Sequence, residues 1–409
     1  MESFYLVLKN GHVIDPQNGI NDVMDIAILG NKIVQIEKNI DVKGVNKIYD
    51  LNGLYVTPGL IDTHTHCYFS AGMPNAWAGD NGLQPDAFSF RSGVTTVVDT
   101  GSAGSYNFPH FRSTVIDRAK TRIFALLNIA DYGMSSLFAE QFPKENDYKS
   151  FIDCAEKNKD VIKGIKIAHY WGKDWADVEY AKKVQKAINK PIMVDFGVFK
   201  KERPYDQLLI EKLDKGDITT HCFRSPVPVL NKNGEVYDYL YRAKEKGIVF
   251  DLGHGEGSFL MRNAVPAMKQ GLLPDTISTD IHALNVNGPV MDMANVLSKM
   301  LACTDLSLTE LFHRVTSNPA KLFDLGNIGN LSVGTEADIA VWSVRSGSFG
   351  FQDTSGGVIN GSKKFECEMT FRAGDLMWDL NGRDGIPFKE MPELYGLDSE
   401  AEDLVVPKY

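Results

Sequence analysis

The chain opens with short stretches in which apolar and polar positions alternate, the period of strands with one buried face. "FYLVLKNGHVIDP" breaks at Asn10-Gly11, "DVMDIAILGNKIVQIEKNI" at Gly30-Asn31 and "KIYDLNGLYVTPG" at Asn52-Gly53, so each predicts strand, turn, strand. From about residue 54 the texture changes to near-continuous apolar runs separated by segments of helical period. Eight such runs occupy 55–66, 95–101, 122–130, 164–170, 191–197, 217–223, 248–255 and 276–282, and helices are predicted between them over 178–189, 205–216 and 236–247. Apolar strands alternating with amphipathic helices predict a parallel sheet, and eight units over roughly 250 residues have the size of a (β/α)8 TIM barrel.

Further helices follow, one predicted over 308–323 and interrupted by Pro319, and strand texture returns from about 328. Strands from both chain ends therefore flank the barrel and are expected to join in one small β-domain. The expected division is 1–53 and 326–385 for the two parts of that domain, 54–325 for the barrel and 386–409 for an acidic C-terminal tail.

Composition narrows the classes. With 409 residues, 43% hydrophobic and 23% charged, the chain reads as a soluble globular α/β protein rather than a disordered or fibrous one. A formal net charge of −10 argues against a nucleic-acid partner. No apolar run approaches the ~18 residues of a membrane span, and Met-Glu-Ser-Phe-Tyr lacks the basic start of a signal peptide. Five cysteines without C-x-x-C spacing fit a reducing compartment, so a cytoplasmic location is expected.

In a barrel, side chains at the C-terminal strand ends converge on one mouth. Six of the nine histidines fall there: His64 and His66 on the first run, His169 on the fourth, His221 on the sixth, His254 on the seventh and His282 on the eighth. Asp62, Asp195, Asp251 and Asp280 share those segments. His and Asp gathered at one mouth are the signature of a metal site. In His64-Thr65-His66 the two imidazoles, two residues apart on a strand, face the same side and can bind one ion; the alternative is a pair of hydrogen-bonded surface histidines.

"VTPGLIDTHTH", "RSGVTTVVDTGSAG", "GIKI", "GDITTHCF", "VFDLGHGEGSF", "LPDTISTDIH" and "VTSNPAKLF" follow one another in this order. Together they resemble the amidohydrolase superfamily of metal-dependent hydrolases, in its dihydroorotase-like amidohydrolase/deacetylase branch, over about residues 5–345. The resemblance implies two divalent metal ions, usually zinc, in a (β/α)8 barrel with a β-sandwich built from both chain ends. It implies that Lys166 is carboxylated to an N6-carboxylysine bridging the metals. Burial beside two cations depresses a lysine pKa and leaves a neutral amine able to take up CO2; the alternative is a lysine paired with an acid. His221 matches the strand-six ligand, or is a buried satisfied histidine. Asp280 matches the strand-eight aspartate, a metal ligand and the general base, then acid, toward a metal-bridged hydroxide; its alternative is a helix N-cap.

One position departs from the pattern. The superfamily places a histidine at the strand-five end, and here Asp195 stands there. Aspartate is a competent zinc ligand at about 2.0–2.2 Å, but it adds charge and reaches less far. Either Asp195 ligates, or the second metal is weakened or exchanged, or the site holds one metal. His254, between two glycines, reads as a substrate contact or support, or as a plain tight turn; His282 as a substrate contact or a loop residue facing solvent. His169 and Tyr170 can line the mouth. Arg224, if it projects there, suits a carboxylate-bearing substrate. Cys67 and Cys222 read as packing, and "GSAG" lacks the Lys-Ser/Thr of a phosphate loop.

The function expected is hydrolysis of an amide, cyclic amide or ester of a small molecule, in a protein the resemblance allows to be a homo-oligomer. The rivals are a superfamily deaminase with a single metal and a non-catalytic assembly protein, the latter motivated by Asp195.

Overall fold

The computed structural model describes residues 5–141, 148–197 and 199–392. Most of the expected tail, 386–409, lies outside the described residues. The chain start forms β1 (Tyr5–Asp15), β2 (Ile20–Leu29), β3 (Lys32–Glu37), β4 (Lys47–Asp50) and β5 (Tyr55–Pro58). The middle forms β6 (Leu60–Thr65), β7 (Val94–Gly104), β8 (Arg122–Asn128), β9 (Ile162–Ile167), β10 (Ile192–Val194), β11 (Ile218–Thr219) and β12 (Val249–Phe250). The chain end forms β13 (Ile339–Gln352), β14 (Val358–Arg372) and β15 (Asp375–Asp379).

The terminal strands do join. They make one hydrogen-bonded sheet in the order β15-β14-β13-β5-β1-β2-β3, with β4 also on β1. Leu8, Val13, Ile26, Ile28, Val56, Ile339, Val341 and Phe371 from this sheet belong to an apolar core of its own. The turn expected at Asn10-Gly11 does not occur. β1 runs through it, and both of its halves pair with β2 across a register slip between Leu8 and Gly11. Asn10 takes a left-handed backbone, φ 60°, and donates its N–H to Asp25 Oδ1 at 2.9 Å. The extra residue makes a β-bulge, which bends the strand without reversing it. The turns at Gly30-Asn31 and Asn52-Gly53 are present.

The middle strands form a curled, wholly parallel sheet in chain order, β6 through β12. The segment 276–281 bonds both of its edges: Thr276 pairs with Asp251 and Ile281 with Thr65, both in the parallel sense. The first apolar run, expected as a single barrel strand over 55–66, is split. Its front half, β5, pairs with β1 and β13, and only β6 enters the parallel sheet. The break falls at Pro58-Gly59, where the backbone partner changes from Asp338 (Gly59 N–H, 2.7 Å) to Gly93 (Leu60 N–H, 2.9 Å). A side chain at Gly59 would collide with Thr95.

The predicted helix over 178–189 is Ala176–Ile188, ending on left-handed Asn189, and that over 236–247 is Asp238–Lys246, ending on left-handed Gly247. The segment 205–216 begins helical at Tyr205–Gln207 and widens into a π turn, Leu208–Lys212. The stretch 308–323 is two short helices, Leu308–His313 and Ser317–Leu322. All five cysteines are free and buried. Among the described residues no helix is long and apolar enough to cross a membrane.

Trp342 of β13 couples the two sheets. It is fully buried in the core of the parallel sheet, its ring 6.0 Å from those of Phe312 and Phe365, and its indole N–H donates to Thr57 Oγ1 at 3.0 Å. Trp342→Ala is expected to lower unfolding stability by about 3–5 kcal/mol in urea titration. A loss below about 0.5 kcal/mol, the level of an ordinary surface substitution, would show that this contact does not tie the sheets together.

Candidate metal centre

β6 carries His64 next to its end and His66 follows its last residue, so the extended backbone turns both imidazoles to one side. Asp280 is brought to them by the backbone, since its N–H donates to His64 O at 2.7 Å. Asp280 Oδ1 then lies 3.5 Å from His64 Nε2 and 3.1 Å from His66 Nε2. These three side chains are buried, and their ligand atoms all fall within 4.8 Å of one another. His221 Nε2 approaches Asp280 Oδ2 at 3.9 Å.

The tautomers follow from the bonds behind the rings. His64 Nδ1 lies 3.0 Å from Thr220 Oγ1, whose hydroxyl is already donated to Asp251 Oδ2 at 2.7 Å. His66 Nδ1 lies 2.9 Å from Ser102 Oγ, whose hydroxyl is donated to Asp99 Oδ2 at 2.8 Å. His221 Nδ1 lies 2.7 Å from the carbonyl of Gly253, which can only accept. Each Nδ1 therefore carries the proton, and each Nε2 offers its lone pair to the centre. This is the arrangement by which proteins orient imidazole metal ligands. His64 stays neutral at pH 7, its pKa drawn down to about 4 by burial and by Lys166.

Lys166, at the end of β9, is fully buried. Its Nζ lies 3.3 Å from His64 Nε2 and 3.8 Å from Met193 Sδ and forms no ion pair among the described residues. Burial depresses its pKa against the opposing pull of Asp195 and Asp280. The alternative of an acid-paired lysine is not what is seen. Lys163, three residues earlier, sits instead over the Phe124 ring at 5.0 Å. Three lone-pair donors, a carboxylate and an unpaired amine in one buried space fit a bound divalent cation and a lysine freed of its proton.

Asp195 reaches the cavity but is already engaged. Its Oδ1 takes Arg224 Nη1 at 2.8 Å, and its Oδ2 lies 3.1 Å from His169 Nε2 and 3.4 Å from His221 Nε2. Arg224 does project into the cavity, and its Nε is buried without a partner among the described residues. His282 lines the same space edge-on to Trp77 at 5.8 Å, and burial brings its pKa to about 4.

Two expected substrate contacts lie elsewhere. His254 does not line the cavity. Its ring stacks on Phe259 at 4.9 Å and its Nε2 meets Lys299 Nζ at 2.5 Å, so burial and that amine drive its pKa down to about 3. The glycines beside it serve other residues, because a side chain at Gly253 would strike His221 and one at Gly255 would strike Asp280. Tyr170 also turns away. Its hydroxyl donates to Asp174 at 2.8 Å, and its ring carries the Arg203 guanidinium at 4.9 Å, itself fixed by the buried pair with Asp177. Asp62 and Asp251 act from behind. Asp251 anchors His64 through Thr220, and Asp62 accepts from Thr279 N–H at 3.0 Å, its carboxyl pushed up to about 7 by burial. Trp77, Glu256 and Ser258 line the cavity without having been singled out. Glu256 and Ser258 follow the seventh strand end directly, which is a usable signal, whereas Trp77 comes from the long loop after β6.

Residues 260–377 match the model of the Amidohydrolase family. A deacetylase of Agrobacterium fabrum is 32% identical over 357 residues, 84% of this chain and 84% of that protein. A crystal structure of an adenine deaminase superposes with a TM-score of 0.82 at 28% identity, over 92% of this chain and 100% of that one. A crystal structure of a dihydroorotase does so with a TM-score of 0.78 at 30% identity, over 91% and 98%.

The Lys299–His254 pair makes a pH prediction. Burial lowers the Lys299 pKa from 10.5 to about 8. Between those values the unfolded chain binds a proton that the folded one does not, so stability rises with pH across that window. Lys299→Met is expected to remove that rise, read as the difference in Tm between variant and wild type from pH 8 upward. Parallel curves would show that Lys299 titrates normally.

Proposed function

The chain belongs to the amidohydrolase superfamily and is a hydrolase acting on C–N bonds, and we propose that its reaction is water-dependent cleavage of an amide, cyclic amide or ester of a small molecule at the cavity around Asp280. The observation that carries this reading is the set of three Nε2 lone pairs turned on one carboxylate beside an unpaired buried lysine. We read the curled sheet with segment 276–281 as the (β/α)8 barrel of the superfamily and the terminal sheet as its β-sandwich.

His64, His66 and Asp280 would hold one divalent ion, and His221 with a carboxylated Lys166 a second, zinc being the metal the resemblance suggests. When bound, such ions polarise a carbonyl and bring the pKa of water toward neutrality. The chain's own part is proton transfer and placement. Asp280, whose Oδ1 stands 3.5 Å from His64 Nε2 and 3.1 Å from His66 Nε2, takes the proton of the attacking water and returns it to the leaving nitrogen or oxygen, so that water is consumed and no net proton is released by the carboxylate. Arg224, with its unpartnered Nε, supports recognition of a carboxylate on the substrate. Neutral His282 and the Trp77 ring, packed on each other, line the same cavity.

The deaminase reading draws on the likeness to the adenine deaminase structure. Lys166 weighs against it, since superfamily deaminases generally use one metal and no bridging lysine. The occupied positions His64, His66, Lys166, His221 and Asp280 weigh against a non-catalytic protein.

Asp280→Asn is expected to lower kcat by about 10²–10⁴-fold with metal content largely retained; unchanged turnover would remove Asp280 from the proton-transfer role. Elemental analysis should find two metal ions per chain, and native mass spectrometry the mass of one CO2 on Lys166. No metal after growth in zinc-supplemented medium, with a native circular dichroism spectrum, would sink the hydrolase reading. Across a panel of N-acyl amino acids, acylated hydroxy acids, cyclic ureides and adenine, Arg224→Gln should raise KM chiefly for the carboxylate-bearing members; turnover of adenine alone would favour the deaminase.

A further inference from the structure

Strand five ends in Asp195 where an imidazole would complete the superfamily pattern. We propose that His169, at the end of strand four, supplies that imidazole, so that His169, Asp195 and His221 border the second metal position beside Lys166. The proposal rests on the hydrolase reading above and adds a ligand to it.

As in the three proposed imidazole ligands, an acceptor stands behind Nδ1 of His169. Glu140 Oε2 lies 2.6 Å from its Nδ1, and the Glu140 side chain is buried, so a group that can only accept fixes the proton on Nδ1. Nε2 then points at Asp195 Oδ2, 3.1 Å away, and the same oxygen lies 3.4 Å from His221 Nε2. Asp195 Oδ1 is taken by Arg224, which leaves Oδ2 as its free donor, set between the two imidazoles. A divalent cation binding here displaces the proton on His169 Nε2, now shared with Asp195, to solvent, so the site gains one net positive charge, which faces the Asp195 carboxylate.

The backbone carries a second, independent mark. Of the nine non-glycine residues with a left-handed backbone among those described, three line this cavity: His169, His221 and Asp280, with φ of 50°, 58° and 51°, a region such residues enter at a cost of about 1–2 kcal/mol. Two of these three are superfamily ligand positions, and the third is His169. Such strain persists where surrounding structure over-determines it, commonly at functional sites. The strand-five end also yields room. At Gly197 a Cβ would stand 2.8 Å from His169 Cδ2, so the imidazole lies in a place that a side chain there would deny it.

The test uses the full chain, stripped of metal and titrated with zinc against a chromophoric chelator. Wild type should bind two equivalents. His169→Asn, whose side chain tolerates the left-handed backbone, should bind one, and Glu140→Gln should loosen the second by about 10–100-fold while leaving the first unchanged. Wild-type affinity for both equivalents in the two variants overturns the proposal, as does a wild type that binds a single ion; in either case the ion held by His64, His66 and Asp280 leaves the hydrolase reading standing. A wild type that binds none defeats both. Should His169→Asn lose its native circular dichroism spectrum, Glu140→Gln decides.

Discussion

The seam between β6 and the segment 276–282 is the constraint on which the site depends. Asp280 N–H to His64 O, His66 N–H to Ile281 O and Thr279 N–H to Asp62 Oδ1 hold the first and last parallel elements side by side. Without that seam Asp280 would have no fixed relation to His64 and His66, although the three are far apart in the chain. The seam is short, and Asp280 turns left-handed within it. Closure of the curled sheet and assembly of the centre are thus one event.

Around that seam the charges are arranged by depth. Asp280 and the imidazole lone pairs meet at the centre, while the acids Asp99 and Asp251 stand one hydroxyl further back, behind Ser102 and Thr220. A hydroxyl that donates to a carboxylate must accept from the imidazole, and this one-way relay sets the tautomer without placing a second negative charge at the centre. Asp195 is handled differently: Arg224 compensates it directly, and His169 and His221 share its other oxygen. The centre thus has a tight half on β6 and the segment 276–282 and a salt-bridged half just beyond β9, β10 and β11.

Much of this was legible in the sequence because strand periodicity is a short-range property. His64 and His66 face one way because they are two residues apart, and Lys166, His221 and Asp280 sit at the ends of runs whose spacing marks parallel strands. What periodicity misses is the partner that claims a side chain beyond the last strand bond. His254 was visible as a strand-end histidine, yet Lys299, from the helix Met293–Cys303, takes it away from the cavity. Tyr170 follows strand four as His169 does, yet the Arg203–Asp177 pair draws it outward. Asn10-Gly11 carries a turn composition, but both halves of β1 find the same partner strand, and the chain continues straight.

The alternation of apolar strands and helices, the joining of the chain ends, and the histidines and acids at the strand ends can all be read from the residues in order. These rest on local period and residue chemistry, which neighbours in the fold do not alter. The division of the run 55–66 at Gly59 between two sheets, the contact of Glu140 that turns His169 toward Asp195, and the claim of Arg224 on one oxygen of that aspartate appear only in the folded chain. The physical reason is common to all three. A buried polar group or an unpaired strand edge takes whichever partner compaction brings within reach, and that partner is distant in the chain.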